Sequence, residues 1–202
     1  MNIREIPDIN KYALHYVFEN LQIQENSLWL EFGVYSGNTI NYISKFTSND
    51  IYGFDSFDGL PENWIDDNKN IILNKGAFDK NGILPDVNKN VVLIKGLFQS
   101  TLEDFLISHK DKKISFVHID CDLYSSTKYV LETIYPYLDN NCVFVFDELV
   151  NVSNDTNELR ALQEFIHQFN ISYKWIGMFG SPFMYNPQHD NQSVAIYLNY
   201  KE

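Results

Sequence analysis

Short apolar runs alternate with stretches of helical spacing along most of the chain. After Pro7 and Asp8, the positions Ile9, Tyr12, Ala13, Tyr16, Val17 and Leu21 predict an amphipathic helix over 7–21. Leu28 to Phe32, LWLEF, reads as a buried strand and runs straight into Gly33-Val34-Tyr35-Ser36-Gly37 and a helix bearing Ile40, Ile43 and Phe46. Strand, glycine turn and helix in that order make a nucleotide-binding opening. Further strands are predicted at Ile51–Phe54, Val91–Ile94, Ile114–Ile119 and Cys142–Phe146. A helix bearing Leu102, Phe105 and Leu106 follows the third strand, with Ser100 and Glu103 as its capping box. Another runs from about Ser125 with Val130, Leu131, Ile134 and Leu138 on one side. Strands and helices in alternation predict a mainly parallel sheet.

The last third changes character. Asp155 and Glu158 are placed to cap a helix bearing Leu159, Leu162, Phe165, Ile166 and Phe169, and Tyr173–Ile176 and Ser193–Leu198 then read as two strands with no helix between them. Such a pair is most simply antiparallel, so the expectation is an α/β, three-layer fold around a mixed seven-stranded sheet, mostly parallel with an antiparallel C-terminal strand. Residues 1–26 form an N-terminal helical segment, and 56–90, with Ile71-Ile72-Leu73 as its one apolar run, is an insertion placed to lie over the site as a lid. The connection from Gly177 to Gln192, with Met178 to Met184 inside it, either lines a pocket or is a plain loop.

Composition narrows this picture. The 202 residues show no linker-like stretch, which favours a single domain. A net charge of −12 leaves no basic surface for nucleic acid, and no run reaches the ~20 apolar residues that a membrane helix needs. Cys121 and Cys142 each lie in an apolar run and read as buried thiols, which together with an N-terminus unlike a signal peptide predicts a cytoplasmic protein. The 15% aromatic share makes a homodimer reasonable.

The chemistry concentrates where strands end. VHIDCDLYSST at 117–127 and FVFDE at 144–148 bring Asp120, Asp122, Asp147 and Glu148 toward one point, and four converging acids need a positive charge between them. That charge is read as a divalent metal beside a methyl donor. Glu31 is an acid inside an apolar strand just ahead of the glycine turn. Asp55, 24 residues later at the end of the next strand, suits a ribose diol. Plainer readings hold elsewhere: His118 as a hydrogen-bonded histidine of the sheet, Ser125 as a helix cap, Tyr124 as packing, and Lys95 and Lys128 as solvated charges.

EFGVYSG at 31–37, FDSFDGLP at 54–61, KGLFQSTL at 95–102, HIDCDLYSSTKYVLE at 118–132 and FDE at 146–148, in this order, resemble the class I S-adenosylmethionine-dependent methyltransferases of the macrocin O-methyltransferase group. The likeness spans about 28–150 and returns weakly in ELRALQEF at 158–165. It implies a Rossmann-like methyltransferase fold in which Glu31, Gly33, Tyr35, Ser36 and Gly37 hold the methionine part of the donor. Asp55, with Ser56 and Phe57 beside it, would take the ribose, Phe98 would wall the adenine, and Asp120 would touch the donor as well as the metal. The resemblance further implies Mg2+ on Asp120, Asp147 and Glu148, with Asp122 as catalytic base. The Asp-Glu form of the acid pair leaves open whether Glu148 binds the metal or supports it. The expected reaction is methylation of a hydroxyl on a sugar or other vicinal diol, in a small molecule or glycan. Two competing readings are a donor-binding interaction module without catalysis and an NAD-dependent oxidoreductase; the retained acids oppose the first, and the missing third glycine together with Glu31 opposes the second.

Overall fold

A computed structural model of the chain describes residues 1–150, 156–179 and 192–201. The elements run β1 (Asp8–Ile9), α1 (Ala13–Asn20), β2 (Leu28–Phe32), α2 (Asn38–Ile43), β3 (Ile51–Asp55), β4 (Trp64–Ile65), β5 (Ile71–Leu73), β6 (Val91–Lys95), α3 (Phe98–Ser108), β7 (Ile114–Ile119), α4 (Tyr124–Ile134), β8 (Leu138–Phe146), α5 (Asn157–Phe169), β9 (Tyr173–Phe179) and β10 (Val194–Leu198).

The main sheet has eight strands in the order β1-β9-β10-β8-β7-β2-β3-β6. Seven are the expected ones, and β10 is antiparallel to both β8 and β9 while the other pairs are parallel. The eighth, β1, corrects the expectation of a helix over 7–21. Pro7 has no N–H to donate, yet its carbonyl accepts from the Met178 N–H at 2.9 Å, so the chain joins the sheet edge before the helix starts at Ala13.

Strand alternation divides the core into two layers. Leu28, Leu30 and Phe32 of β2 pack with Leu102 of α3, Val130 and Leu131 of α4, and Leu162 and Phe165 of α5. Trp29 faces the other way, with Leu14 and Val17 of α1 and Ile40 and Ile43 of α2. The result is the three-layer arrangement expected, with helices on both faces of the sheet.

The insertion has an ordered part of its own. β4 and β5 pair as a small antiparallel hairpin, and Leu60 and Trp64 build a separate apolar cluster on Leu123. The hairpin is tied to the start of α5, where Asn157 Nδ2 donates to the Ile65 carbonyl at 2.9 Å and Thr156 Oγ1 to Asp67 Oδ1 at 2.8 Å.

Helix ends differ from the sequence expectation. α3 starts at Phe98 with Leu97 before it, so Ser100 lies inside the helix and caps nothing. α4 starts at Tyr124, and Ser125 reaches Glu62 Oε1 across to the insertion instead of capping. Asp155 and most of the 177–192 connection lie outside the described residues, and Glu158 faces inward. Lys95 donates to the Gly82 carbonyl at 2.8 Å, and Lys128 bridges Glu132 and Glu164, so neither is simply solvated.

Candidate active site

The site lies at the carboxyl edge of the parallel strands, where strand order reverses between β7 and β2. At such a switch point the two connecting chains leave toward opposite faces and open a crevice. The strand ends are locked in sequence: the Asp120 N–H donates to the Phe32 carbonyl at 2.9 Å, and the Asp147 N–H to the Ile119 carbonyl at 3.0 Å. The acids after β7 and β8 are therefore held by the strands themselves.

Gly33 makes the crevice possible. Its φ is +90°, and a Cβ there would lie 1.8 Å from the Asp120 carbonyl oxygen, so the turn after β2 rests directly on the end of β7. Asp55 then shapes the turn from the side. Its Oδ2 accepts from the Val34 and Tyr35 N–H groups at 2.8 Å each, and its Oδ1 from the Phe57 N–H at 2.7 Å. A carboxylate has about four acceptor sites, so Asp55 keeps roughly one for a ligand.

A cavity of ≈ 380 Å³ spans this edge. Of the expected donor-binding residues, Gly33, Tyr35, Asp55, Ser56, Phe98 and Asp120 line it, and from the acid set so do Asp122 and Glu148. Phe98 lines the cavity and packs in a T-shaped pair with Phe32, ring centroids 5.4 Å apart. Tyr35 is exposed at the rim, where Phe78 and Lys80 of the insertion meet its ring.

The remaining expected residues lie outside the lining. Ser36 and Gly37 shape the turn into α2, Gly37 with φ +80°. Phe57 is buried, and its carbonyl ties down the insertion by accepting from Lys80 and Gly82. Asp147, next in sequence to Glu148, is not among the lining residues.

Glu31 is placed differently from a ligand at a surface. It is 0% exposed, paired in register with His118 on β7 and Gly53 on β3, and its Oε2 lies 3.3 Å from His118 Nδ1. Burial, then the charge of Asp55, pushes Glu31 well above the usual carboxylate range. Burial pulls His118 down, against the charge of Asp120. Both shifts run toward the neutral forms, and among the described residues neither the Glu31 carboxyl oxygens nor the His118 ring nitrogens make a hydrogen bond, so His118 is not the hydrogen-bonded histidine expected from its place in the strand.

Asp122 sits at the tip of a tight turn. Its φ is +61°, and the Leu123 N–H bonds the Cys121 carbonyl at 2.6 Å across it. Aspartate is among the few side chains that tolerate this backbone region, and strain held at a cavity wall points to function. Asp120 is pushed up to about 6 by burial and then by the charges of Glu31 and Asp55, while His118 opposes the shift. Asp147 is pushed to about 6 by burial.

Sequence reasoning missed two contributors. Leu60, Pro61 and Trp64 of the insertion line the cavity's outer side. Glu158 is 3% exposed and feels the negative charges of Asp122, Asp120, Glu148 and Asp147, in that order after the effect of burial itself. A signal for it existed, because helical spacing puts Glu158 on the same stripe as Leu162 and Phe165.

As a donor set the strand-end acids suit a hard divalent cation, being all oxygen, and the buried Glu158 Oε2 meets no hydrogen-bond partner among the described residues. They are not pre-gathered: among the described residues no three of His, Cys, Asp and Glu already stand close enough to enclose an ion. No described helix is long and apolar enough to cross a membrane.

A profile of the methyltransferase domain matches residues 30–149, which run from the middle of β2 to just past the acid pair. The chain belongs to the methyltransferase-domain family. The matched stretch holds the glycine turn, Asp55 and all four strand-end acids, so the cavity is the part of the molecule that the family defines. No curated protein sequence matches the chain. Among solved structures it is similar to the calicheamicin methyltransferase CalS11, with a TM-score of 0.62 and 21% identity over 91% of this chain and 75% of that one. An apo structure of CalS11 is described as that of a TDP-rhamnose 3′-O-methyltransferase. The O-methyltransferase NovP gives 0.58 at 17% identity over 94% of this chain and 77% of its own. An O-methyltransferase from Bacillus cereus with S-adenosylhomocysteine gives 0.52 at 12% over 85% and 73%. At these identities the likeness establishes the fold, a Rossmann-like methyltransferase fold: the alternation of strands and helices predicted its mainly parallel sheet, and the resemblance of the motifs implied the rest.

Proposed function

We propose that this methyltransferase takes its methyl group from S-adenosylmethionine and, with Mg2+, transfers it to a hydroxyl of a sugar or other vicinal diol in a small molecule or glycan. The observation that carries this reading is the continuity of one cavity from Gly33 and Asp55 to Asp122 and Glu148. Its volume of ≈ 380 Å³ lies in the ordinary range for ligand pockets of roughly 300–1,000 Å³.

On the donor side, the turn at 33–37 lets backbone groups approach the methionine end, Asp55 offers its remaining acceptor site to the ribose, and Phe98 gives the adenine a face. S-adenosylmethionine, when bound, supplies a methyl group on a positively charged sulfur. Asp120, Asp147 and Glu148 would hold Mg2+, which when bound would supply charge that lowers the pKa of a neighbouring hydroxyl. Asp122, in the cavity wall, takes the proton from the acceptor hydroxyl. The insertion at 56–90, with Leu60 and Trp64 facing the cavity, closes the acceptor side as a lid and excludes water. The sugar assignment is in keeping with the description of CalS11.

The test is a panel of sugar diols incubated with S-adenosylmethionine and Mg2+, followed by release of S-adenosylhomocysteine. We expect turnover on vicinal diols that falls to background in EDTA and returns with Mg2+. Full turnover in EDTA would remove Mg2+ from the reading, and no turnover on any diol would remove the acceptor class.

A pH-dependent companion follows from Asp120 and Asp147. With folded pKa values of about 6, above the ordinary 3.8, they favour the apo fold when protonated, and that contribution is lost as pH rises through about 6. Mg2+ binds the ionised forms, so its gain in Tm should be larger at about pH 7.5 than at about pH 5.

A further inference from the structure

We infer that Ser126, in the first turn of α4, binds a second hydroxyl of the acceptor, the neighbour of the one that is methylated, and so sets the preference for a diol. This rests on the acceptor reading above and adds to it the side chain that recognises the second hydroxyl.

The side chains at the start of α4 find different partners. Tyr124 OH donates to Glu164 Oε2 at 2.6 Å, Ser125 Oγ reaches Glu62 across to the insertion, and Thr127 Oγ1 lies 3.5 Å from Cys121 Sγ. Of this turn only Ser126 lines the cavity, with Asp120, Cys121 and Asp122 just ahead of it in the chain. It is 6% exposed, and its hydroxyl makes no hydrogen bond among the described residues. The cavity's other serine is already matched, since Ser56 Oγ donates to the Gly59 carbonyl at 3.1 Å. A hydroxyl this deeply buried is costly without a partner, and what remains to supply one is whatever enters the cavity.

The helix adds donors of its own. Leu123 precedes α4 without a side-chain cap, and the Thr127 N–H is the first to bond back, to the Leu123 carbonyl at 2.9 Å. The N–H groups at 124–126 therefore have no acceptor within the helix. A group at this end of the cavity meets those donors and a serine hydroxyl that both donates and accepts, beside the carboxylates of Asp120, Asp122 and Glu148. The carboxylates oppose a negatively charged group, whereas a neutral hydroxyl can accept from the helix or Ser126 and donate in return. Ser126 follows Asp122 by four residues, so one short segment supplies both the base for one hydroxyl and a partner for the next. Leu60, Pro61 and Trp64 line the same cavity and suit the carbon face of a ring that carries such a pair.

The experiment measures kcat/KM of the full chain, with S-adenosylmethionine and Mg2+, on methyl hexopyranosides and on their monodeoxy counterparts, in which one ring hydroxyl is replaced by hydrogen. Wild-type protein should lose about 10–100-fold when a hydroxyl next to the methylated one is removed, the cost of leaving a buried partner unmatched. Ser126→Ala should lose a similar factor on the complete diol and little more on the monodeoxy sugar, while circular dichroism and S-adenosylhomocysteine binding stay unchanged. If the alanine variant does not fold, Ser126→Gly, which removes the same hydroxyl, takes its place. A folded variant that slows equally on both sugars, or that discriminates between them as strongly as wild type, would overturn the inference and leave the diol reading standing. Wild-type protein that methylates the monodeoxy sugars as fast as the diols, or methylates nothing in the panel, would overturn both.

Discussion

Asp122→Asn should lower turnover by about 10²–10⁴-fold, the usual contribution of a positioned general base, while leaving S-adenosylhomocysteine and Mn2+ binding unchanged. Asparagine is the right replacement because of the backbone. At φ +61° an alanine would add strain to the loss of the carboxylate, whereas Asn occupies this region as readily as Asp. The turn closed by the Leu123 N–H therefore survives while the carboxylate is removed. Turnover within about tenfold of wild type would exclude Asp122 as the base. Loss of Mn2+ binding would instead place Asp122 among the cation's ligands and reverse its role with that of Asp120.

The second large effect concerns the fold under the donor. Gly33→Ala should destabilise the protein by roughly 4 kcal/mol or more, the range reserved for changes that the structure cannot absorb. The added Cβ meets the Asp120 carbonyl oxygen at 1.8 Å and its carbon at 2.7 Å, both backbone atoms at the end of a central strand. Neither can retreat without breaking the bond from Asp120 to Phe32. Gly37→Ala is the informative comparison. Its φ of +80° is equally unsuited to alanine, but the new Cβ meets only the Pro85 and Val87 side chains at 3.2–3.3 Å. We expect about 1–3 kcal/mol there, from backbone strain and the small shift these side chains must make. Urea melts of the two variants check the order, and a Gly33→Ala variant no less stable than Gly37→Ala would contradict the packing of the turn on β7.

Much of this was legible from residue patterns because the central strands are buried on both faces. LWLEF, ISFVHI and CVFVF are buried along their length and apolar except at Glu31, Ser115 and His118, a pattern that neither exposed helices nor loops produce. Their ends were legible as well, since acids directly after such runs leave little choice of location. The edges were less so. β1 is two residues long and exists only because Pro7 offers a carbonyl to Met178, a partner 171 residues away that local spacing does not encode. β8 begins at Leu138, before Asp139, Asn140 and Asn141, so its polar start resembled a turn, and Pro136 ended the preceding helix sooner than the apolar spacing implied. β4 and β5 are short, and apart from the buried Trp64 their apolar residues are exposed or half-buried, so hydrophobic periodicity had little to report.

The candidate site divides along the same line. Asp55, Asp120, Asp122 and Glu148 were visible because each follows an apolar strand or its turn, and the fold sets all of them at one cavity. That Asp55 spends three acceptor sites on Val34, Tyr35 and Phe57 was not visible, since those contacts depend on the turn's three-dimensional path. Glu31 stood out as an acid in a strand, but only the register shows that its neighbour is His118. Glu158 looked like a helix cap, because sequence position suggests an end and says nothing of which way the end faces.

The most direct test of the methyl-donor reading is a paired titration of wild-type protein and Asp55→Ala with S-adenosylhomocysteine and with NAD, followed by thermal shift. We expect S-adenosylhomocysteine to raise the Tm of wild type and NAD to leave it unchanged, with the first effect lost in Asp55→Ala. Stabilisation by NAD without stabilisation by S-adenosylhomocysteine would contradict the account.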